Sequence, residues 1–378
     1  MIDIYSYDMV PLSDFLAEYK ELNTNNRFRP VAVGRYGIRT RESIYSKELA
    51  QDYSKNKLIY KDTLTVGMGS VQMDIGILTD DITYSVSPAY HTYRINGINC
   101  DYLRFCLQAR NADMFERYKK RGSRQGKSID LKAWLHYLIP VYEIDGQLQI
   151  VSTLHKIQSI IDDRMQQLQK LDDLVKPRFV EMFGDPVDNS KHFDLVPLGQ
   201  LGVLKRGVSK HRPRNDAVLL GGNYPLIQTG DVSNAKDYIT EYTSTYSEEG
   251  LKQSKMWGKG TLCITIAANI ADTAILNFDA CFPDSVVGFI PNEKVTTLFI
   301  HNWFKFLQPV LEENAPAVAQ KNLNVATLEK TGVIVPPIEM QNEFEIFVQQ
   351  IDKSKFVVQQ ALDKAQLLFD SLMQKYFG

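Results

Sequence analysis

At 378 residues the chain is long enough for two or three domains, and its 44% hydrophobic and 23% charged residues suit ordinary globular folds. A formal net charge of −2 excludes a global basic attraction to nucleic acid, though such an average can hide local stripes. Cys100, Cys106, Cys263 and Cys281 form no CxxC or Cys/His metal pattern and read as reduced, mostly buried thiols.

In chain order, the opening MIDIYSYDM has no basic n-region or apolar h-region, so a cytoplasmic protein is expected. A first mixed module follows, with "VPLSDFL" at Val10, "KLIYKDTLTVG" at Lys57 and the helically spaced "NCDYLRFCLQARNADMFERY". Next, Leu154, Ile161, Leu168, Val175 and Met182 recur every seven residues, with Ile157 and Leu171 at intervening positions. That spacing predicts a coiled-coil helix of about 35 residues, roughly 50 Å long at ~1.5 Å per residue. Arg164 and Arg178 break its apolar seam, and Pro177 is expected to kink or interrupt it near its end. Asp185-Pro186 reads as the exit turn into a second module.

In that second module "TLCITIA", "TAILNF" and "SVVGFIP" are short β-rich runs, and "LFIHNWFKFLQPVLEEN" has helical spacing. The apolar stretch near Leu262 to Ala271 is too short and too polar to span a bilayer, and no membrane association is expected. A strand at Gly332 to Val335 leads to a second heptad helix. Val348, Leu362, Phe369 and Tyr376 keep one phase, Ile351, Val358, Ala365 and Leu372 the other, and Lys355 breaks the pattern. Leu154, Ile161, Leu168, Val175, Val348, Ile351, Leu362 and Phe369 are the expected helix-pairing residues.

The halves rhyme. Phe183-Gly184 recurs as Phe377-Gly378, and at the same shift Leu154 meets Val348 and Leu168 meets Leu362. "VPLSDFL" answers "VPLGQLG", "KLIYKDTLTVG" answers "KMWGKGTLCIT", and "GSRQGKSIDL" answers "AVAQKNLNVATL". Matches that keep their order along both halves indicate a tandem duplication. The expected fold class is α+β: two duplicated globular modules, 1–140 and 189–335, alternating with helical spacers, 141–188 and 336–378. The two helices are expected to pair as an antiparallel coiled coil.

No catalytic centre is visible. The six histidines make neither HxH nor HExxH, and there is no P-loop or glycine-rich dinucleotide turn. "FPDSVV" around Asp284 reads as a turn entering a strand rather than as part of a carboxylate nuclease site. Basic residues, by contrast, are clustered. The first module holds Arg27, Arg29, Arg35, Arg39 and Arg41 in one run and Lys119, Lys120, Arg121, Arg124 and Lys127 in another. The second holds Lys205, Arg206, Lys210, Arg212 and Arg214. One such run alone would be a solvated loop, but matching runs in duplicated modules suit phosphate neutralisation on a local face. Gln320, Lys321 and Asn322, which answer Gln125 to Ser128, add amides able to read base edges.

The order module–helix–module–helix, with "RFVEMFGDPV" after the first helix and "VPPIEMQNEF" before the second, resembles the specificity (S) subunit of type I restriction–modification systems. "VPLGQLGVLKRG" and "TLCITIAANIADTAILNFDACFPDSVVGFIP" are similar to that family's target-recognition domains, and the likeness covers the whole chain. It departs where "VYEIDGQLQ" stands in place of "PPIEMQNEF", which bears on where the first helix begins. The resemblance implies a non-catalytic subunit whose two domains each read half of a split target in double-stranded DNA. It implies helices that set the gap and dock methyltransferase (M) subunits, with restriction (R) subunits joining. It implies no cofactor on this chain, S-adenosylmethionine being held by the M subunit. A specificity module of another restriction or methylation class, and a coiled-coil scaffold that never reads DNA, are the alternatives.

Overall fold

The computed structural model describes residues 6–34, 37–44, 52–121, 127–267, 270–314 and 324–378. The chain divides into two compact units, Met1–Gln166 with Gln359–Gly378, and Gln167–Val358. Each unit therefore holds one module, the start or end of one long helix, and the opposite end of the other.

Both modules are built on one plan. In the first, the strands Tyr7–Pro11 and Leu138–Tyr142 pair antiparallel and bring the two ends of the module together. In the second, Asp194–Pro197 and Gly332–Val335 do the same. The main sheet of the first module has the antiparallel order Leu16–Tyr19, His91–Ile95, Thr63–Met68, Met73–Leu78. That of the second runs Gly202–Arg206, Val286–Pro291, Leu262–Thr265, Thr273–Leu276, and then adds Tyr238–Ile239 parallel to the last. The expected β-rich runs are strands, and the duplication extends to strand order.

The modules differ in their outer layer. The first has two small pairs, Val31–Gly34 with Gly37–Thr40 and Lys57–Ile59 with Tyr84–Val86. The second instead has a four-stranded sheet ordered Ser244–Tyr246, Leu220–Leu226, Ala280–Cys281, Met256–Trp257. A shared frame thus carries two unlike surfaces. "NCDYLRFCLQARNADMFERY" is helical but broken at Arg110, into Cys100–Ala109 and Asn111–Tyr118.

The long helices, Ile144–Phe183 and Ile338–Phe377, have 40 residues each, one turn more than the heptads predicted and roughly 60 Å at ~1.5 Å per residue. They start and stop in the same repeat register, so the divergent "VYEIDGQLQ" does not shift the first helix's entry. Of the two outcomes expected at Pro177, a kink or an interruption, the interruption does not occur: the helix runs on through it. Its ring is exposed, and only the bond that its missing N–H would have made is lost, one turn and a half before the end.

The heptad positions face inward. Leu154, Ile161, Val348, Ile351 and Phe369 are buried, and Leu168, Val175 and Leu362 are half-buried. Leu154, Ile157 and Ile161 join Leu362 and Phe369 in the core of the first unit, where the start of one helix meets the end of the other. Val175, Phe179 and Phe183 join Phe344 and Val348 in the core of the second.

The recurring Phe-Gly has a physical reason. Phe183 is fully buried among Phe179, Phe299 and Phe344, with ring centroids 4.8, 5.1 and 5.6 Å away. Phe377 is buried equally, 5.2 Å from Tyr102. Each helix therefore ends by inserting an aromatic ring into the core of a module. Gly184 then takes a left-handed conformation (φ 75°), its N–H donating to Val180 O at 2.8 Å. A side chain there would strike Ser190 Oγ, so the stop signal is a glycine.

Candidate DNA interface

In the second module the strand Gly202–Arg206 pairs with Val286–Pro291, setting Lys205 opposite Gly288 and Arg206 opposite Val287. Leu204 is buried, while Lys205 and Arg206 are exposed at the strand's end and, among the described residues, make no ion pair. The chain then enters a braced loop. The Gln253 Oε1 accepts from Lys210 N at 2.6 Å and His211 N at 3.1 Å. Arg212 donates to Ser209 O (2.6 Å) and His211 O (2.8 Å), and both Arg212 and Arg214 pair with Asp284. The Val218 N–H, donating to Asp216, holds its carboxyl below the usual range, and His211 Nε2, 3.0 Å from Asp216, adds to this. Lys210, Arg212 and Arg214 are exposed. The run is a shaped, basic loop, not a solvated tail.

The first module's basic residues fall on two features. Arg27 and Arg29 are exposed, and Arg29 lies 3.4 Å from Glu42. Arg39 is exposed on the strand Gly37–Thr40, while Arg41 is half-buried with its guanidinium 5.3 Å from the Tyr53 ring centroid. Arg41 lines a cavity of about 490 Å³ together with Val33, Gly67, Tyr90, His91 and Ser128, and its buried Nε has no hydrogen-bond partner. The second feature is a β-hairpin, Lys119–Arg121 with Lys127–Ile129, whose last rung pairs Arg121 with Lys127. Lys119 is 2.6 Å from Glu116 and Lys120 is 2.6 Å from Asp130. The Lys120 bond, with the Ala133 N–H, holds Asp130 below the ordinary carboxylate range. Arg35, Arg124, Gln320, Lys321 and Asn322 lie outside the described residues.

Several of the basic residues are thus already neutralised by acids that the sequence runs did not include: Glu42, Glu116, Asp130 and Asp284. Glu116 is only three residues from its partner, a spacing legible on a helix. Asp284 is some 70 residues from Arg214, and nothing local announces it.

Among the described residues no group of His, Cys, Asp and Glu could hold a metal ion, and no helix is long and apolar enough to cross a membrane. The cysteines are free thiols, and burial pushes Cys100 and Cys106 up to about 12.

Residues 191–364 match the family model described as the type I restriction modification DNA specificity domain. Two solved structures share the fold over nearly the whole length. One, from work on "complex assembly and conformational transition of the type I R-M system", is 16% identical with a TM-score of 0.64, covering 98% of this chain and 97% of that one. The other, the type I restriction–modification S subunit from M. genitalium, is 13% identical with a TM-score of 0.57, covering 100% and 98%. The matched domain spans the second module and about two-thirds of the second long helix, and the first half repeats its strand order. Residues 191–364 are thus similar to a type I restriction modification DNA specificity domain, and the chain as a whole shares the fold of these two structures.

Proposed function

We propose that the chain is the non-catalytic specificity subunit that directs methyltransferase and restriction subunits to a bipartite DNA target. Each module reads one half-site, and the paired helices set the unread gap and dock the M subunits. The reading is supported above all by one observation: a closing strand pair and main sheet are repeated in both modules, while the outer layers and basic loops on them diverge. A repeated frame with unlike surfaces suits two unlike half-sites. Helices of roughly 60 Å exceed one turn of DNA, ~34–36 Å. S-adenosylmethionine is bound by the M partner, R subunits add the nuclease, and the complex works in the cytoplasm.

The test is methylome sequencing of a host carrying the system, before and after one module is exchanged for that of a relative. A split motif is expected, and the exchange should change one half of it only. A folded exchange variant that alters both halves, or a host with no split motif, overturns the reading.

A further inference from the structure

The turn Pro283-Asp284 opens the strand Val286–Pro291, whose antiparallel partner ends in Lys205 and Arg206. The contact between turn and basic loop is built, not incidental. Gly207 donates to Val286 O at 2.8 Å, and a Cβ on it would come within 2.2 Å of Phe282 O and 2.4 Å of Pro283 O. Only a glycine lets the loop leave the sheet this close to the turn. Beyond it, Asp284 receives Arg212 on one oxygen at 3.5 Å and Arg214 on the other. Arg212's other terminal nitrogen is already committed to Ser209 O and His211 O. One carboxylate therefore gathers two of the loop's guanidinium groups, leaving Lys205, Arg206 and Lys210 without an ion pair among the described residues.

We propose that Asp284 is a positioning residue that sets the specificity of the second module: it shapes the basic loop and withholds Arg212 and Arg214 from random phosphates. The inference rests on the DNA-reading proposed above. A cationic loop left to itself binds any duplex, because phosphate neutralisation carries no sequence information. Tying two arginines to a fixed carboxylate removes part of that indiscriminate attraction. It also orders the loop before DNA arrives, so less freedom is lost on docking. These pairs are half-exposed, with Arg212 54% and Asp284 34% accessible, a setting in which ion pairs add little to folding. The effect of the carboxylate should therefore be read in binding.

The full chain is titrated with two duplexes: a mixed-sequence one, and one selected from a random pool by repeated capture on the unaltered chain. Asp284→Asn should bind the mixed duplex at least about threefold more tightly at low salt, with a log–log salt slope steeper by roughly one. Its preference for the selected duplex should fall by about tenfold, and Asp284→Glu should restore most of that preference. In an Arg212→Ala/Arg214→Ala background, Asp284→Asn should change the preference no further, which separates positioning from simple repulsion. If Lys205→Ala/Arg206→Ala weakens binding while Asp284→Asn leaves slope and preference unmoved, the role of Asp284 is overturned and the DNA face stands. If none of these variants alters binding to either duplex, the DNA face on this loop falls as well.

Discussion

Gln147 and Gln341 stand at the same turn of the two long helices and use their buried amides in the same way. Gln147 accepts from Asn99 N (3.0 Å) and donates to Tyr142 O (2.7 Å). Gln341 accepts from Thr296 N (3.0 Å) and donates to Pro336 O (2.9 Å) and Lys294 O (3.0 Å). Each joins three segments of its own module: the start of the long helix, the chain that leads into it, and the entry of a core helix. Backbone groups at such junctions have no partners in regular structure, and a side-chain amide supplies one donor pair and one acceptor.

Replacing either glutamine by leucine leaves those groups buried without partners. The cost should be about 2–4 kcal/mol, with Gln341→Leu the larger because it loses one more bond. Thermal unfolding should show a fall of roughly 5–10 °C. A shift within 1–2 °C for both variants would mean that the junctions are held by packing alone.

The charges that break the heptads form their own contacts. Lys355 on the second helix lies 2.6 Å from Asp172 on the first, with only 18% of its side chain exposed. Arg178 likewise reaches Glu343 across the pair at 3.1 Å. Burial pushes the Asp172 carboxyl up, but the hydrogen bond and charge of Lys355, with Lys236 beyond, carry it below the usual range. Burial lowers the Lys355 ammonium and Asp172 more than compensates, leaving it raised. The pair thus stabilises above the unfolded carboxylate value of about 3.9 and below the unfolded lysine value of about 10.4. Its contribution is lost as pH falls through the folded Asp172 value or rises through that of Lys355. Lys355→Met should cost about 1–2 kcal/mol at neutral pH, whereas Asp172→Leu/Lys355→Leu should be close to neutral. A double variant as unstable as the single one would show that the pair itself, not the orphaned carboxylate, holds the helices.

His301 is fully buried, its Nε2 3.0 Å from Asp237 and its Nδ1 2.9 Å from Thr273 Oγ1. The ring donates to the carboxylate and accepts from the hydroxyl, the pattern of a neutral imidazole. Burial lowers its pKa, and Lys305 adds to this against the pull of Asp237. Since the folded value lies below the unfolded ~6.5, the unfolded chain binds the extra proton, and stability falls as pH drops below about 6.5. The limiting slope is roughly 1.4 kcal/mol per pH unit. His301→Gln should flatten the dependence of the melting temperature between pH 7 and 5. Parallel curves for the two proteins would exclude His301 as its source.

Lys205→Ala and Arg206→Ala should weaken binding to selected and mixed duplexes alike if these side chains hold phosphates. Each should flatten the log–log salt slope by roughly one. If one of them reads a base instead, it should cost about 1–3 kcal/mol on the selected duplex and much less on the mixed one. Fluorescence-anisotropy titrations at two or more salt concentrations distinguish these outcomes, and no change in any of them would remove both residues from the interface.

The duplication, the α+β class and the inward faces of both long helices were legible in the sequence, because each is a local or periodic pattern. A heptad repeats along one helix, and Phe183-Gly184 answers Phe377-Gly378 without reference to any distant residue. That the helix continues through Pro177 was not legible: a proline there removes one hydrogen bond near a helix end, and the packing of Val175, Phe179 and Phe183 on either side keeps the helix whole. The ion pairs could not be read this way. Arg214 meets Asp284, Lys355 meets Asp172 and Asp237 meets His301 only after strands have paired and helices have packed. A charge run in sequence shows how many cations a face carries. Which of them stay available to a ligand depends on the acids brought beside them, and that proximity exists only in the folded chain.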